Sequence, residues 1–178
     1  MVERYTYNYF LEYIPKGHPF PTEQQKRERR ITYNFKDGIL YGTYLDRFVS
    51  MISEIIQEPM SDWCICYIPA SSQERTRKRY KNLTKLLSKR YNIKIAENAV
   101  HVNDYEPTHL TQNHLAQETV LQYYEVNDYY QKNIILIDDI LTTGKTFTRI
   151  ADMLMETGAK SVHGLFFAKT THPAFDKI

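Results

Sequence analysis

The apolar positions change their spacing as the chain runs, and each change predicts an element. "YTYNYFLEYI" (5–14) and "RITYNF" (30–35) alternate closely enough to be strands. The polar, proline-bearing stretch "PKGHPFPTEQQKRERR" separates them and reads as a loop. From Tyr41 the period becomes helical. Leu45, Phe48, Val49, Ile52, Ile55 and Ile56 follow the i, i+3, i+4, i+7 rule, so the spacing predicts an amphipathic helix over 41–57, stopped by Pro59. "WCICYIP" (63–69) is a short apolar run, read as a buried strand ending at Pro69. A basic helix over 78–90 follows, with Leu83, Leu86 and Leu87 inward, and then a strand within "IKIAENAVHV". The polar stretch 104–131 reads as helical in part. "NIILID" (133–138) is the clearest strand of the chain. Residues 145–157 form a helix with Phe147, Ile150, Ala151 and Leu154 on one face and Gly158 just past its end, and "SVHGLFFAK" is a last strand. Strands alternating with helices of this length imply crossover units and a parallel sheet, hence an α/β domain.

Composition narrows the class without naming a function. The chain has 178 residues, enough for one domain with a sizeable core, and no repeat, low-complexity tract or Pro/Gly/Ser linker divides it. The expected organisation is a single domain, with 1–35 a small N-terminal hood and 36–178 the core. A net charge of +2 leaves any attraction to anions to local clusters rather than a global field. No apolar run approaches the roughly 18 residues that a membrane span needs, and "MVERYTYNYF" does not read as a signal peptide. Cys64 and Cys66 lie two apart on a strand and share one face, a poor geometry for bonding to each other. With no helpful histidine spacing nearby, they read as buried, reduced thiols. The expected compartment is the cytoplasm.

The chemistry gathers at "LIDDILTTGKT" (136–146), which is strand, loop and helix start. In open α/β sheets ligands collect outside the carboxyl ends of strands, where such loops sit. A glycine among threonines lets successive backbone N–H groups point into one concavity, and the helix start adds its positive dipole end. Thr142, Thr143, Gly144, Lys145 and Thr146 thus make a cradle for a phosphate dianion. Asp138 and Asp139 would repel a phosphate placed against them. They suit vicinal hydroxyls, which donate hydrogen bonds, or a divalent cation. A ligand with a phosphate at one end and a diol at the other is a ribose 5-phosphate. "GKT" resembles the end of a P-loop, but that motif needs a glycine at position 139, which is aspartate. Asp139 could instead merely end a strand and Thr143 merely cap a helix, yet two adjacent carboxylates at a strand end cost repulsion with no structural return.

The thirteen residues Ile134 to Thr146 match, position by position, the phosphoribosyl pyrophosphate (PRPP) signature of type I phosphoribosyltransferases, and the chain resembles that family. Within it, "FKDG" (35–38), "YIPASSQERTRKRYKN" (67–82, with Arg79 and Asn82 in matching places) and "METGAKSV" (155–162) resemble segments of the ComF-type branch, related to amidophosphoribosyltransferases. The likeness spans residues 31–168. Three features depart from that branch: there is no four-cysteine zinc ribbon, Tyr80 and Lys81 replace the usual Gly-Phe, and no arginine lies between Arg90 and Arg149.

The resemblance implies a Rossmann-like parallel sheet with helices on both faces and transfer of the phosphoribosyl group of PRPP to a small nitrogen acceptor, with Mg²⁺ on the pyrophosphate. Asp138 and Asp139 would hold the ribose hydroxyls, with a metal near them as an alternative role. Residues 142–146 would hold the 5-phosphate, and Ala70, Ser71, Ser72 and Arg79 the pyrophosphate. No catalytic base is implied. Arg75, Arg77, Lys78, Arg79 and Lys81 place five cations in seven residues. Such a cluster suits a solvated helix start, a pyrophosphate or, as a lesser alternative, nucleic acid. The rival function is a non-catalytic PRPP- or nucleotide-binding regulator, or a ComF-like partner in DNA uptake. The acceptor is left open, and so is whether the chain forms a homodimer.

Overall fold

In the computed structural model, residues 4–57, 59–97, 99–102, 121–122 and 129–171 are described. Five strands form one sheet: β1 (Thr6–Tyr13), β2 (Trp63–Tyr67), β3 (Lys94–Ala96), β6 (Asn133–Leu141) and β7 (Ser161–Thr170). Between β3 and β6, β4 (His101–Val102) and β5 (Leu121–Gln122) form a separate antiparallel pair. The five-stranded order is β1-β7-β6-β2-β3, and every neighbouring pair is parallel. β6 lies at the centre, and Ile134, Ile135, Leu136 and Ile137 are wholly buried, as a strand covered on both faces requires.

The helices are α1 (Glu23–Lys36), α2 (Thr43–Ser50), α3 (Ile52–Ile55), α4 (Gln73–Arg90) and α5 (Lys145–Glu156). One apolar cluster joins α1 to α4 with one face of the sheet through residues such as Phe35, Phe48, Leu83, Ile135 and Phe167. A second, around Cys64, Cys66, Phe147, Ile150, Leu154 and Phe166, seats α5 on the other face. Both cysteines are buried and no disulfide joins them. Among the described residues, no helix is long and apolar enough to cross a membrane.

The topology positions the site. From β2 the chain crosses through α4 to β3, on one side of β2; from β6 it crosses through α5 to β7, on the other side. Right-handed crossovers in opposite directions put their helices on opposite faces, as observed. The sheet therefore reverses direction between β2 and β6, and the crevice outside their carboxyl ends is the place where open α/β sheets take ligands.

Five sequence expectations change. "RITYNF", read as a strand, is the end of α1. Its β-branched and aromatic residues look strand-like, but the Thr22–Gln25 capping box starts a helix upstream, and Ile31, Thr32 and Phe35 then share its buried face. "PKGHPFPTEQQKRERR" is accordingly a loop only up to Thr22. The helix expected over 41–57 begins at Thr43 and is interrupted at Met51, whose N–H reaches the carbonyls of Phe48 and Val49. α4 begins at Gln73 rather than 78, because the Ser72 hydroxyl caps it by accepting from the Arg75 N–H. The strand in "IKIAENAVHV" breaks after Ala96 at a turn closed by the Ala99 N–H donating to the Ala96 carbonyl, and β4 follows. Most of 104–131 lies outside the described residues. The N-terminal segment meets the core directly, since β1 pairs with β7 from Thr6 to Tyr13 and α1 supplies buried Ile31 and Phe35.

Candidate functional site at the sheet's direction reversal

β6 carries Asp138 and Asp139 to the mouth of this crevice. The Asp139 N–H donates to Asp138 Oδ1 and the Ile140 N–H to Asp139 Oδ1, both at 2.7 Å, so one oxygen of each carboxylate is held by the backbone just beyond it. From α4, Arg79 enters between the two. Its Nη1 lies 3.5 Å from Asp138 Oδ1 and 3.2 Å from Asp139 Oδ2. The three side chains are only 11%, 14% and 10% exposed in the order Arg79, Asp138, Asp139. The contact to Asp139 Oδ2 is one of charge without hydrogen-bond alignment. That oxygen and Arg79 Nε are buried and have no hydrogen-bond partner. Buried groups of this kind normally find partners, so these two are candidates for contact with a polar ligand.

Tyr80, one residue on, is buried beside the acids. Its hydroxyl donates to the Ile68 carbonyl at 2.8 Å and lies 3.4 Å from the Ile137 carbonyl and 3.5 Å from Asp138 Oδ1. Its ring stacks on Tyr67 with centroids 4.2 Å apart. A single phenol thereby ties the ends of β2 and β6 together beside the acids. Burial, then the Asp138 charge, raise its pKa well above the usual phenol value, so it remains a donor.

Beyond the acids the chain turns through Thr142 and Thr143 into Gly144, whose φ of 75° is one that glycine adopts without strain. Gly144 precedes α5 and offers no side-chain cap. No described group accepts from the backbone N–H groups of Thr143 to Phe147, the first intrahelical bond being Thr148 N–H to the Gly144 carbonyl. Thr142, Thr143, Lys145 and Thr146 are exposed, and Thr142 Oγ1 lies 3.3 Å from Thr170 Oγ1 at the end of β7. A ring of open amides with hydroxyls around it, at the positive end of a helix dipole, is suited to an anion.

The loop after β2 is less open than the sequence suggests. The Ala70 N–H donates to Thr76 Oγ1, and that hydroxyl donates to the Ser72 carbonyl, so a threonine on α4's first turn occupies the loop. Ser71 Oγ accepts from Arg75 Nη1 at 3.0 Å and Ser72 caps α4. Of the five clustered cations, Arg79 alone turns inward; Arg75, Arg77, Lys78 and Lys81 are exposed. Arg79, expected beside a pyrophosphate with Ala70–Ser72, is held in this structure by the two acids.

Sequence reasoning gave Tyr80 and Thr76 no role in the site. Tyr80 was legible in principle, since it shares the buried spacing of Leu83 and Leu87. It also passed over the Tyr13–Tyr33 pair, whose hydroxyls are 3.0 Å apart where β1 ends beside α1. Burial first, and then the bond to Tyr33, push the Tyr13 pKa up to about 12, and the Asp139 charge adds in the same direction. A cavity of about 650 Å³ opens at the opposite end of the sheet, lined by Asn8, Glu54, Trp63, Asn133, Lys160 and His163 among others. Much of its polar lining is self-satisfied: His163 lies between Thr6 and Asn8, and Ser161 donates to Asn133. The paired acids, Arg79 and the open amides lie at the carboxyl ends instead.

Burial, then the neighbouring Asp139 charge, raise the Asp138 pKa well above the carboxylate range, and Arg79 offsets only part of this. A raised folded value means stability that is present below the unfolded value of about 3.9 and lost as pH rises through the folded one. Ionising Asp138 in the folded chain therefore costs stability as pH rises. Asp138→Asn keeps the oxygen that accepts from Asp139 N–H and removes the repulsion. Its expected effect is a gain of about 0.5–2 kcal/mol at neutral pH, fading toward about pH 4. Thermal unfolding across that range checks it; a variant less stable than the parent at neutral pH contradicts it.

No family model matches the sequence, and no curated protein matches it. Solved structures do resemble it in shape. The purine phosphoribosyltransferase of Pyrococcus horikoshii is 16% identical with a TM-score of 0.46, over 78% of this chain and 95% of its own. The hypoxanthine phosphoribosyltransferase of Trypanosoma cruzi is 12% identical with a TM-score of 0.43, over 83% and 81%. The hypoxanthine-guanine phosphoribosyltransferase of Schistosoma mansoni, solved with IMP, is 14% identical with a TM-score of 0.41, over 90% and 83%. At this identity and overlap the likeness is one of shape only.

Proposed function

We propose that the chain binds PRPP at the β2/β6 crevice and transfers its phosphoribosyl group to a nitrogen nucleophile, releasing pyrophosphate. The observation that carries this reading is the buried Asp139 Oδ2, without a hydrogen-bond partner, at the strand end, a few residues before the open amides of 143–147. An acceptor-only carboxylate next to an anion cradle matches a ligand with hydroxyls at one end and a phosphate at the other. Asp138 and Asp139 take the ribose hydroxyls; Thr142, Thr143, Gly144, Lys145 and Thr146 take the 5-phosphate; Ser71, Ser72 and the basic start of α4 face the pyrophosphate. Nitrogen attack forms a C–N bond at the anomeric carbon as the C–O bond to pyrophosphate breaks, and the nitrogen releases its proton.

Among the described residues no three His, Cys, Asp or Glu side chains come together as a metal site, and both acids already face Arg79. This donor set would fit a cation that arrives on the ligand's diphosphate and is held chiefly by it, with an Asp138 or Asp139 oxygen meeting it as the alternative to a ribose hydroxyl. Mg²⁺ there would supply charge neutralisation for the departing pyrophosphate. The chain's own contribution is to position the ribose and to neutralise charge, effects that act without moving any protein atom far.

The exposed cations of α4 favour a second reading, in which the cradle is retained in a non-catalytic regulator or a ComF-like DNA-uptake partner and the basic surface meets phosphate backbone. Assay of pyrophosphate release from PRPP and Mg²⁺ against nucleobases, amines and ammonia separates the two. Acceptor-dependent release supports transfer; PRPP binding without release for any acceptor supports the regulator.

A further inference from the structure

We infer that Arg79 makes the site read the two halves of its ligand together, so that occupancy of the diol position raises affinity at the diphosphate position. This deepens the PRPP reading and rests on it. In the described structure one guanidinium serves two carboxylates, through a single nitrogen, across the crevice that the ligand must span. The cluster carries two acids and one cation, so with both acids ionised it has surplus negative charge, and its cation faces inward. A diphosphate arriving alone meets that surplus charge, and the guanidinium that would receive it is held by the acids.

Vicinal hydroxyls change this balance. Donating to Asp138 and Asp139, they satisfy the carboxylates and weaken their hold on Arg79. A guanidinium has five N–H donors, and of these only Nη1 is engaged with the acids while Nε has no partner. Its unused donors are then available to the diphosphate. Coupling of this kind is reciprocal, so diphosphate must strengthen diol binding by the same factor. Direct repulsion between the two anions works the other way, which makes a positive coupling diagnostic. A divalent cation could bridge the two halves by itself, and it is therefore left out of the test.

The experiment is calorimetric titration of inorganic pyrophosphate into the full chain, with and without saturating ribose 5-phosphate and with no divalent cation. The expected result is pyrophosphate affinity at least about fivefold tighter when ribose 5-phosphate is bound, the lower end of typical coupling. In Arg79→Gln the factor falls to about one. In Asp139→Asn, which keeps Arg79 but loosens its hold, pyrophosphate alone binds tighter than to the parent; this arm stands if Arg79→Gln does not fold. Two ligands that bind the parent independently overturn the inference and leave the PRPP reading intact, as does coupling that survives in Arg79→Gln. A parent chain that binds neither fragment, nor PRPP itself, overturns both.

Discussion

Replacing Arg79 by alanine is expected to cost about 3–5 kcal/mol at neutral pH, because it leaves two buried carboxylates side by side with no cation. For a chain of this length that is a fall in melting temperature of roughly 6–20 °C, at about 2–4 °C per kcal/mol. Arg79 is the cation in contact with both acids, and all three side chains are largely shielded from solvent. Burial pulls the Arg79 pKa down, but Tyr80, Asp139 and Asp138 outweigh it and the group is held above its usual value. Removing it raises the folded pKa of Asp138 further above its unfolded value. The variant's stability is therefore retained below the unfolded carboxylate pKa and lost as pH rises through the folded one, so its deficit against the parent grows with pH. Thermal unfolding at several pH values tests this; a deficit independent of pH means that lost packing, not lost charge, is responsible. Ribose 5-phosphate binding should weaken as well as PRPP binding, since the repelling acids no longer hold their geometry.

The second large effect concerns the helix that sequence pattern misassigned. Phe35, 2% exposed, stacks on Phe167 with centroids 4.3 Å apart and meets Phe48 and Tyr80 edge-on. Phe35→Ala should cost about 3–5 kcal/mol, the usual range for emptying such a site. Its effect should reach the functional site through Tyr80, whose hydroxyl joins the ends of β2 and β6. Denaturant unfolding gives the energy, and PRPP affinity gives the coupling. A loss below about 1 kcal/mol, the centre of the range for point substitutions generally, would mean that α1 is not seated on the sheet as described.

These two residues mark what the sequence could and could not disclose. β6 and α5 were legible because their signals are local: four apolar residues in a row, two acids, a glycine, then Phe147, Ile150, Ala151 and Leu154 at helical spacing. α1 was hidden because Ile31, Thr32, Tyr33 and Phe35 have strand-like chemistry, and only the capping box eight residues before Tyr33 declares the helix. The pairing of Arg79 with Asp138 and Asp139 spans 59 residues from Arg79 to Asp138, and depends on the strand order. No local pattern contains the fact that β2 and β6 are neighbours, so the direction reversal that defines the crevice emerges only from the fold. The engagement of the Ala70 amide was hidden for a smaller reason. Small side chains do let a backbone N–H approach a ligand, but Thr76 is one turn away and takes the Ala70 amide first.

The central claim is that this crevice binds PRPP, and thermal unfolding with ligand tests it most directly. A ligand that binds only the folded state at a hundredfold excess over Kd stabilises it by about 2.7 kcal/mol, or roughly 5–10 °C here. The account predicts such a shift with PRPP and Mg²⁺, a smaller one without the metal, and a shift lost in Asp139→Asn, where the unpartnered acceptor becomes an amide. DNA should give little, and that little should vanish as salt rises. A chain whose melting temperature ignores PRPP and Mg²⁺ at saturating concentration, while DNA stabilises it at physiological salt, would contradict the account and make the basic face of α4 the working surface.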